Sequence, residues 1–168
     1  VDLMMELLRR GAANRWKFYF LGATGRMVRA AVAAVRRASP GIRVVGYRDG
    51  YFRDADERSL VEEIRSSRAD ILFVGMPTPQ KELFLMRRFD GMHISFAMGV
   101  GGSFDVLAGA VRRAPLRWRK MGLEWLYRLL QEPVRLFGRY VSTNLRFLIM
   151  LLGEWTRVRS TYLSKSRN

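Results

Sequence analysis

Short apolar runs, rich in aromatic and β-branched residues, alternate with helical stretches over the first hundred residues. The runs are Lys17–Leu21, Ile42–Tyr47, Ile71–Val74 and His93–Met98. Between the first two, Met27–Ala38 carries Val28, Val32 and Val35 at helical spacing and is stopped by Pro40-Gly41. Asp54–Ser67 and Gln80–Phe89 fill the next two gaps with helical patterns, and Asp2–Arg10 precedes them all with Leu3, Met4, Leu7 and Leu8 on one face. Strands separated by helices of roughly 10–15 residues predict βαβ units and a parallel sheet. The loops leaving the carboxyl ends of the strands are then Gly22–Gly25, Gly75–Pro79 and Gly99–Asp105. Open α/β sheets bind ligands at that edge, so these three loops are expected on one rim.

The pattern changes near Leu116. Strand candidates stop, and arginine alternates with Trp118, Trp125, Tyr127, Phe137, Tyr140 and Phe147, with a break expected at Pro133. The expected organisation is an α/β nucleotide-binding domain over 1–115, a helical, membrane-proximal appendage over 116–160 and a polar tail over 161–168. The expected fold class is α/β: a parallel Rossmann-like sheet with flanking helices, followed by a basic, aromatic-rich helical C-terminal appendage.

Charge narrows the partners. Thirty Lys and Arg face fifteen Asp and Glu, a formal net charge of +15. Such a balance suits nucleic acid, an anionic membrane face or a phosphorylated substrate. Arginine dominates, and its planar fork matches phosphate better than lysine does. The absence of cysteine rules out disulfide and thiolate chemistry in these residues, and a lone histidine, His93, builds no multi-histidine metal site or Ser-His-Asp arrangement. Val1–Arg10 lacks a signal-peptide pattern, and the longest late apolar run, Phe147–Leu152, is far short of the roughly 20 residues that span a bilayer.

Three glycines in four positions, Gly99-Val-Gly101-Gly102, follow a strand candidate and precede Asp105. Backbone N–H groups there can cradle a diphosphate at the start of the next helix, with Asp105 accepting from ribose hydroxyls or a base. A tight turn with Asp105 capping a helix fits the same residues. Gly22-Ala23-Thr-Gly25 has the strand–loop–helix placement of a phosphate loop, without a complete G-x-G-x-x-G or a P-loop lysine. In Pro77–Glu82, Lys81 could face a phosphate and Glu82 a sugar hydroxyl; plain helix initiation, with Glu82 favoured by the helix dipole, fits equally. Arg128, Arg135 and Arg139 are spaced to share one helical face and clamp phosphate, or to rest on anionic lipid between aromatic residues. His93 is expected at a strand start as a satisfied polar residue. No RNP-type, zinc-finger or helix-turn-helix signature supports nucleic acid.

These blocks together resemble the WecG/TagA/CpsF family of bacterial glycosyltransferases. The matching segments are Phe20–Ala23, Gly50–Phe52, Asp70–Gly75, Pro79–Glu82, Gly99–Asp105, Arg113–Pro115 and Gly122–Pro133. The resemblance implies transfer of an N-acetylmannosamine-type or related sugar from a UDP donor to a polyprenyl-linked acceptor, in surface polysaccharide or cell-wall polymer synthesis. It places the enzyme peripherally on the inner face of the cytoplasmic membrane, against an anionic surface, with a homo-oligomer admissible and nucleic acid disfavoured. Carried onto this chain, Gly22, Ala23, Lys81, Glu82, Gly99, Gly101, Gly102 and Asp105 line the nucleotide pocket, and Arg128, Arg135 and Arg139 meet the diphosphate. No cofactor or metal is implied: there is no Asp-x-Asp motif, and arginines can take an ion's place. Two departures stand out. The family's Pro-Lys-Gln-Glu is Pro79-Gln-Lys-Glu82 here, so Lys81 stands where glutamine is usual. Family members also carry an N-terminal portion, with an aspartate proposed as general base, before the region matching Val1; no catalytic residue is therefore assigned to this chain. The rival reading is a non-catalytic basic module for anionic lipid or nucleic acid, separable by whether UDP binds.

Overall fold

The computed structural model describes residues 1–134, 136–138, 141, 147 and 149–151. They fall into two compact units, Val1–Arg112 and the part from Arg113 onward.

In the first unit the elements run α1 (Asp2–Asn14), β1 (Lys17–Gly22), α2 (Gly25–Ala38), β2 (Arg43–Arg48), a 3-10 turn (Asp54–Asp56), α3 (Glu57–Ser67), β3 (Ile71–Gly75), α4 (Gln80–Met92), β4 (Phe96–Gly99) and α5 (Ser103–Leu107). The strands form one parallel sheet in the order β2-β1-β3-β4. This is the α/β architecture that alternating periodicities predict. Because both faces are covered, β1 and β3 are buried along almost their whole length and read as continuous apolar runs rather than alternating ones.

One face packs Phe18, Phe20, Ile71 and Phe73 against Met4 and Leu8 of α1, Val28, Val32 and Val35 of α2, and Phe104 of α5. The other packs Tyr19, Leu21, Leu72 and Val74 against Leu60 and Ile64 of α3 and Phe84 and Met92 of α4. Phe20 is the hinge of the first cluster, meeting Phe73 edge-on at 5.5 Å and Phe104 at 5.4 Å. Burial of several such rings stabilises by about 2 kcal/mol each, which outweighs any local propensity here.

Boundaries follow backbone chemistry. Thr24 caps α2, its hydroxyl accepting from Met27 N–H at 3.3 Å. The helices α1, α3 and α4 end on left-handed residues that are not glycine: Arg15, Arg68 and His93, with φ of 58°, 53° and 52°. His93 is therefore a helix cap and not the strand start expected from sequence; β4 begins three residues later, at Phe96. The second unit contains α6 (Leu116–Lys120) and α7 (Glu124–Gln131), joined through Gly122 at φ 71° and by Trp118 against Tyr127 at 5.6 Å. The helix α7 stops just before Pro133, as the residue preceding a proline disfavours helix.

Candidate functional site

Strand order reverses between β1 and β3, since β1 leads outward to β2 and the chain then returns to β3. Ligand crevices of open α/β sheets form at that reversal, beyond the carboxyl ends of the strands. Here the floor of the reversal is closed by two glycines in contact. A Cβ on Gly22, whose φ is 130°, would lie 2.5 Å from the Gly75 carbonyl carbon. Ala23 holds the left-handed region at φ 55°, fixed because its N–H donates to Gly75 O and its own carbonyl accepts from Gly50 N–H, both at 3.0 Å. Its N–H is thus already engaged. What Gly22 and Ala23 offer a ligand is close approach of the backbone, not that donor.

The glycine loop after β4 leans on the same floor. A Cβ on Gly75 would meet the Phe104 ring at 2.6 Å and Gly101 O at 3.2 Å. Val100 N–H donates to Val74 O at 2.9 Å, and the Ser103 hydroxyl to Val100 O at 2.7 Å, so the loop is pinned on both sides of Gly101. Gly101 needs its own φ of 51°, and a Cβ there would stand in open space. Gly102 is the N-cap of α5, and Asp105 lies in that helix's first turn, its carbonyl accepting from Ala110 and Val111. Asp105 is thus a first-turn helical residue, two residues beyond the glycine loop's end at Ser103.

Lys81 joins the two loops. Its stem runs beneath Gly99, where a Cβ would be 2.9 Å from Lys81 Cε. The ammonium donates to the Thr78 hydroxyl and pairs with Glu82 Oε1 at 2.6 Å, while Thr78 Oγ1 donates to the same carboxylate at 3.2 Å. Lys81 is the better buried partner, its side chain 18% exposed against 53% for Glu82. The Lys81 hydrogen bond, foremost, holds the Glu82 carboxyl below its usual range. A cation and an anion are therefore fixed together at the first turn of α4, facing the glycines.

Sequence reasoning passed over two further rim residues. Asp49 Oδ1 accepts from Tyr51 N–H at 3.0 Å, and Phe52 packs on Phe84 at 5.7 Å. That anchoring turns Tyr51 outward, 80% exposed at the end of β2. The signal was the Gly50-Tyr-Phe52 block, which carries a ring on each side of the chain.

The structure thus brings Gly22, Ala23, Gly99, Gly101, Gly102, Asp105, Lys81 and Glu82 to one rim of the first unit. Arg128 belongs to the second unit, on α7, with Nε 3.6 Å from Glu132 Oε2. Arg135 and Arg139 lie outside the described residues. Among the described residues no three His, Asp or Glu side chains gather to hold a metal, and no helix is long and apolar enough to cross a membrane.

A glycine-floored switch point with a charged pair on the flanking helix marks a parallel α/β protein of the open-sheet class, in which ligand crevices form at the strands' carboxyl ends. The family model "Glycosyl transferase WecG/TagA/CpsF family" matches residues 1–161, and the chain belongs to that family. It is 37% identical over 134 residues to an N-acetylglucosaminyldiphosphoundecaprenol N-acetyl-beta-D-mannosaminyltransferase of Bacillus spizizenii. That similarity covers 80% of this chain and 51% of the relative, so the chain spans about half the length of the curated relative it matches.

Proposed function

We propose that this chain holds the donor in transfer of an N-acetylmannosamine-type or related sugar from UDP to a polyprenyl-linked acceptor, in surface polysaccharide or cell-wall polymer synthesis. The observation that carries the reading is the rim itself: four glycine-bearing loop ends meet at the switch point of a family member, with Lys81 locked beneath Gly99. In the proposed arrangement the diphosphate lies over Gly99–Gly102, with Asp105 and Tyr51 toward the nucleoside. Arg128, Arg135 and Arg139 neutralise the UDP that leaves as the acceptor hydroxyl attacks the anomeric carbon. Charge on that leaving group is met by side chains, without a metal or other cofactor. The relative's name, which joins a mannosaminyl group to an undecaprenol-linked acceptor, supports the substrate class. Exposed Leu116, Met121, Trp125, Leu130 and Phe137 among arginines support a peripheral seat on the anionic inner face of the cytoplasmic membrane.

Calorimetric titration with UDP tests the reading. Binding that survives moderate salt is expected, and Arg128→Ala weakens UDP roughly tenfold while leaving uridine unchanged. No UDP binding, alongside polyanion binding that falls steeply with salt, would make the chain a basic binding module instead.

A further inference from the structure

Two hollows open at the other edge of the sheet, where the strands begin. One, of about 430 Å³, is apolar, walled by Leu7 of α1, Trp16, Ile71 and Phe96. The second, of about 390 Å³, is walled by Lys17, Arg65, Arg68 and His93. Asp70 and Ser95 line both, so the two are contiguous.

Asp70 makes the partition rigid. Its Oδ2 accepts from Lys17 N–H at 2.7 Å, its N–H donates to Lys17 O at 2.9 Å, and its carbonyl accepts from Ser95 and Phe96 N–H, each at 3.1 Å. Asp70 thus ties the starts of β1, β3 and β4 together, mostly through its backbone, while its carboxylate accepts from a backbone donor. Against it stand the Lys17, Arg65 and Arg68 cations. Glu62 meets Arg65 from outside at 3.6 Å with both side chains more than half exposed, and no carboxylate among the described residues pairs with Lys17 or Arg68. Cations at the last turn and C-cap of α3 do offset that helix dipole. That accounts for Arg65 and Arg68, but not for Lys17 on a strand, nor for an open apolar chamber next door. Phe96, the first residue of β4, is 42% exposed beside that chamber.

We propose that the paired hollows bind an anionic phospholipid of a membrane. Its phosphate lies against Lys17, Arg65 and Arg68, and one hydrocarbon chain enters the chamber between Trp16 and Phe96. Charge complementarity selects the head, since arginine forks match phosphate oxygens two at a time. Both volumes lie within the roughly 300–1,000 Å³ of small-molecule sites. The site is at the sheet edge opposite the glycine rim and stands whatever the rim binds.

The test uses the full chain with ¹³C-labelled isoleucine methyls, the Ile71 signal being assigned with Ile71→Val. Short-chain phosphatidylglycerol, kept below its micelle concentration, should shift the Ile71 methyl saturably. Glycerophosphate, a head without a tail, should leave it in place. The exposed pair Arg65→Gln with Arg68→Asn, asparagine being tolerated at the left-handed cap, should weaken the lipid about tenfold, and so should exchanging its head for phosphatidylcholine. An unmoved Ile71 methyl overturns the proposal. So does equal affinity for the two headgroups or for the double variant. An Ile71 shift that tracks protein concentration without lipid would show that a second copy fills the chamber.

Discussion

Glu57 is buried at the start of α3, and two arginines of α4 converge on it: Arg87 Nη2 on Oε1 and Arg88 Nε on Oε2, each at 2.9 Å. The carboxylate is buried while both arginines are about half exposed, so the energetic asymmetry is large. Glu57→Ala removes both charge-assisted bonds but leaves cations that water can reach, so the cost is about 2 kcal/mol rather than the roughly 3–5 of a fully buried pair. Arg87→Ala should cost less than about 1 kcal/mol, because Arg88 remains. Urea midpoints of the two variants check the order; Arg87→Ala as damaging as Glu57→Ala would mean packing, not charge, ties α3 to α4. Glycines separate in the same way. Gly22→Ala drives a Cβ into the Gly75 backbone and should cost roughly 3 kcal/mol, whereas Gly101→Ala meets open space and costs only the roughly 1 kcal/mol of its positive φ. A calorimetric melt in which Gly101→Ala is the worse variant would contradict this. Sequence made the glycines visible but not their division of labour. Gly22 and Gly101 read alike as loop residues, and only the Gly75 backbone beside one and the void beside the other tells packing from ligand access.

Helix and strand identities were legible from periodicity, because each element buries one stripe or two faces in the sheet's layers. Helix ends were less so. A C-cap is read from glycine, yet α1, α3 and α4 end on arginine or histidine with positive φ, and His93 was consequently read into β4. That strain predicts a gain. Arg15 is exposed, so Arg15→Gly should raise stability by about 0.5–1 kcal/mol, read as a higher urea midpoint at unchanged slope. The site shows the same limit. The Lys81–Glu82 pair was visible at a helix start, but that Lys81 runs under Gly99 depends on how β4 lies beside α4, which no local pattern encodes. At the other end of the first unit, Glu6 accepts from Arg9 and Arg10 of its own helix, chiefly through those hydrogen bonds, and its carboxyl is lowered to about 2. A depressed carboxyl stabilises α1 above the ordinary value near 4.5 and loses that contribution as pH falls toward 2. An NMR titration should show Glu6 protonating near pH 2 in low salt and at higher pH in molar salt; a salt-independent midpoint would deny the ion-pair origin.

On the scale of the whole molecule, thirty cations against fifteen acids make self-repulsion a general property rather than a feature of any one pair. Ion pairs such as Arg9–Glu6 and Arg53–Asp56 are largely solvent-exposed and short in sequence separation, and pairing leaves the net +15 unchanged. Unfolding lets like charges spread apart, which favours the unfolded chain most when screening is weakest. The Debye length falls from about 30 Å at 0.01 M to about 8 Å at 0.15 M, a change that spans the dimensions of a domain this size. Sodium chloride raised across that range should therefore increase the melting temperature, by roughly 2–4 °C for each kcal/mol of repulsion removed. Chloride is the appropriate salt, because phosphate or sulfate would also engage the arginines directly. Screening predicts a smooth rise that levels off once the Debye length is shorter than the spacing between surface cations. A melting temperature that falls as chloride is added would mean that the exposed ion pairs outweigh the repulsion, and that the excess of arginine costs the folded chain nothing.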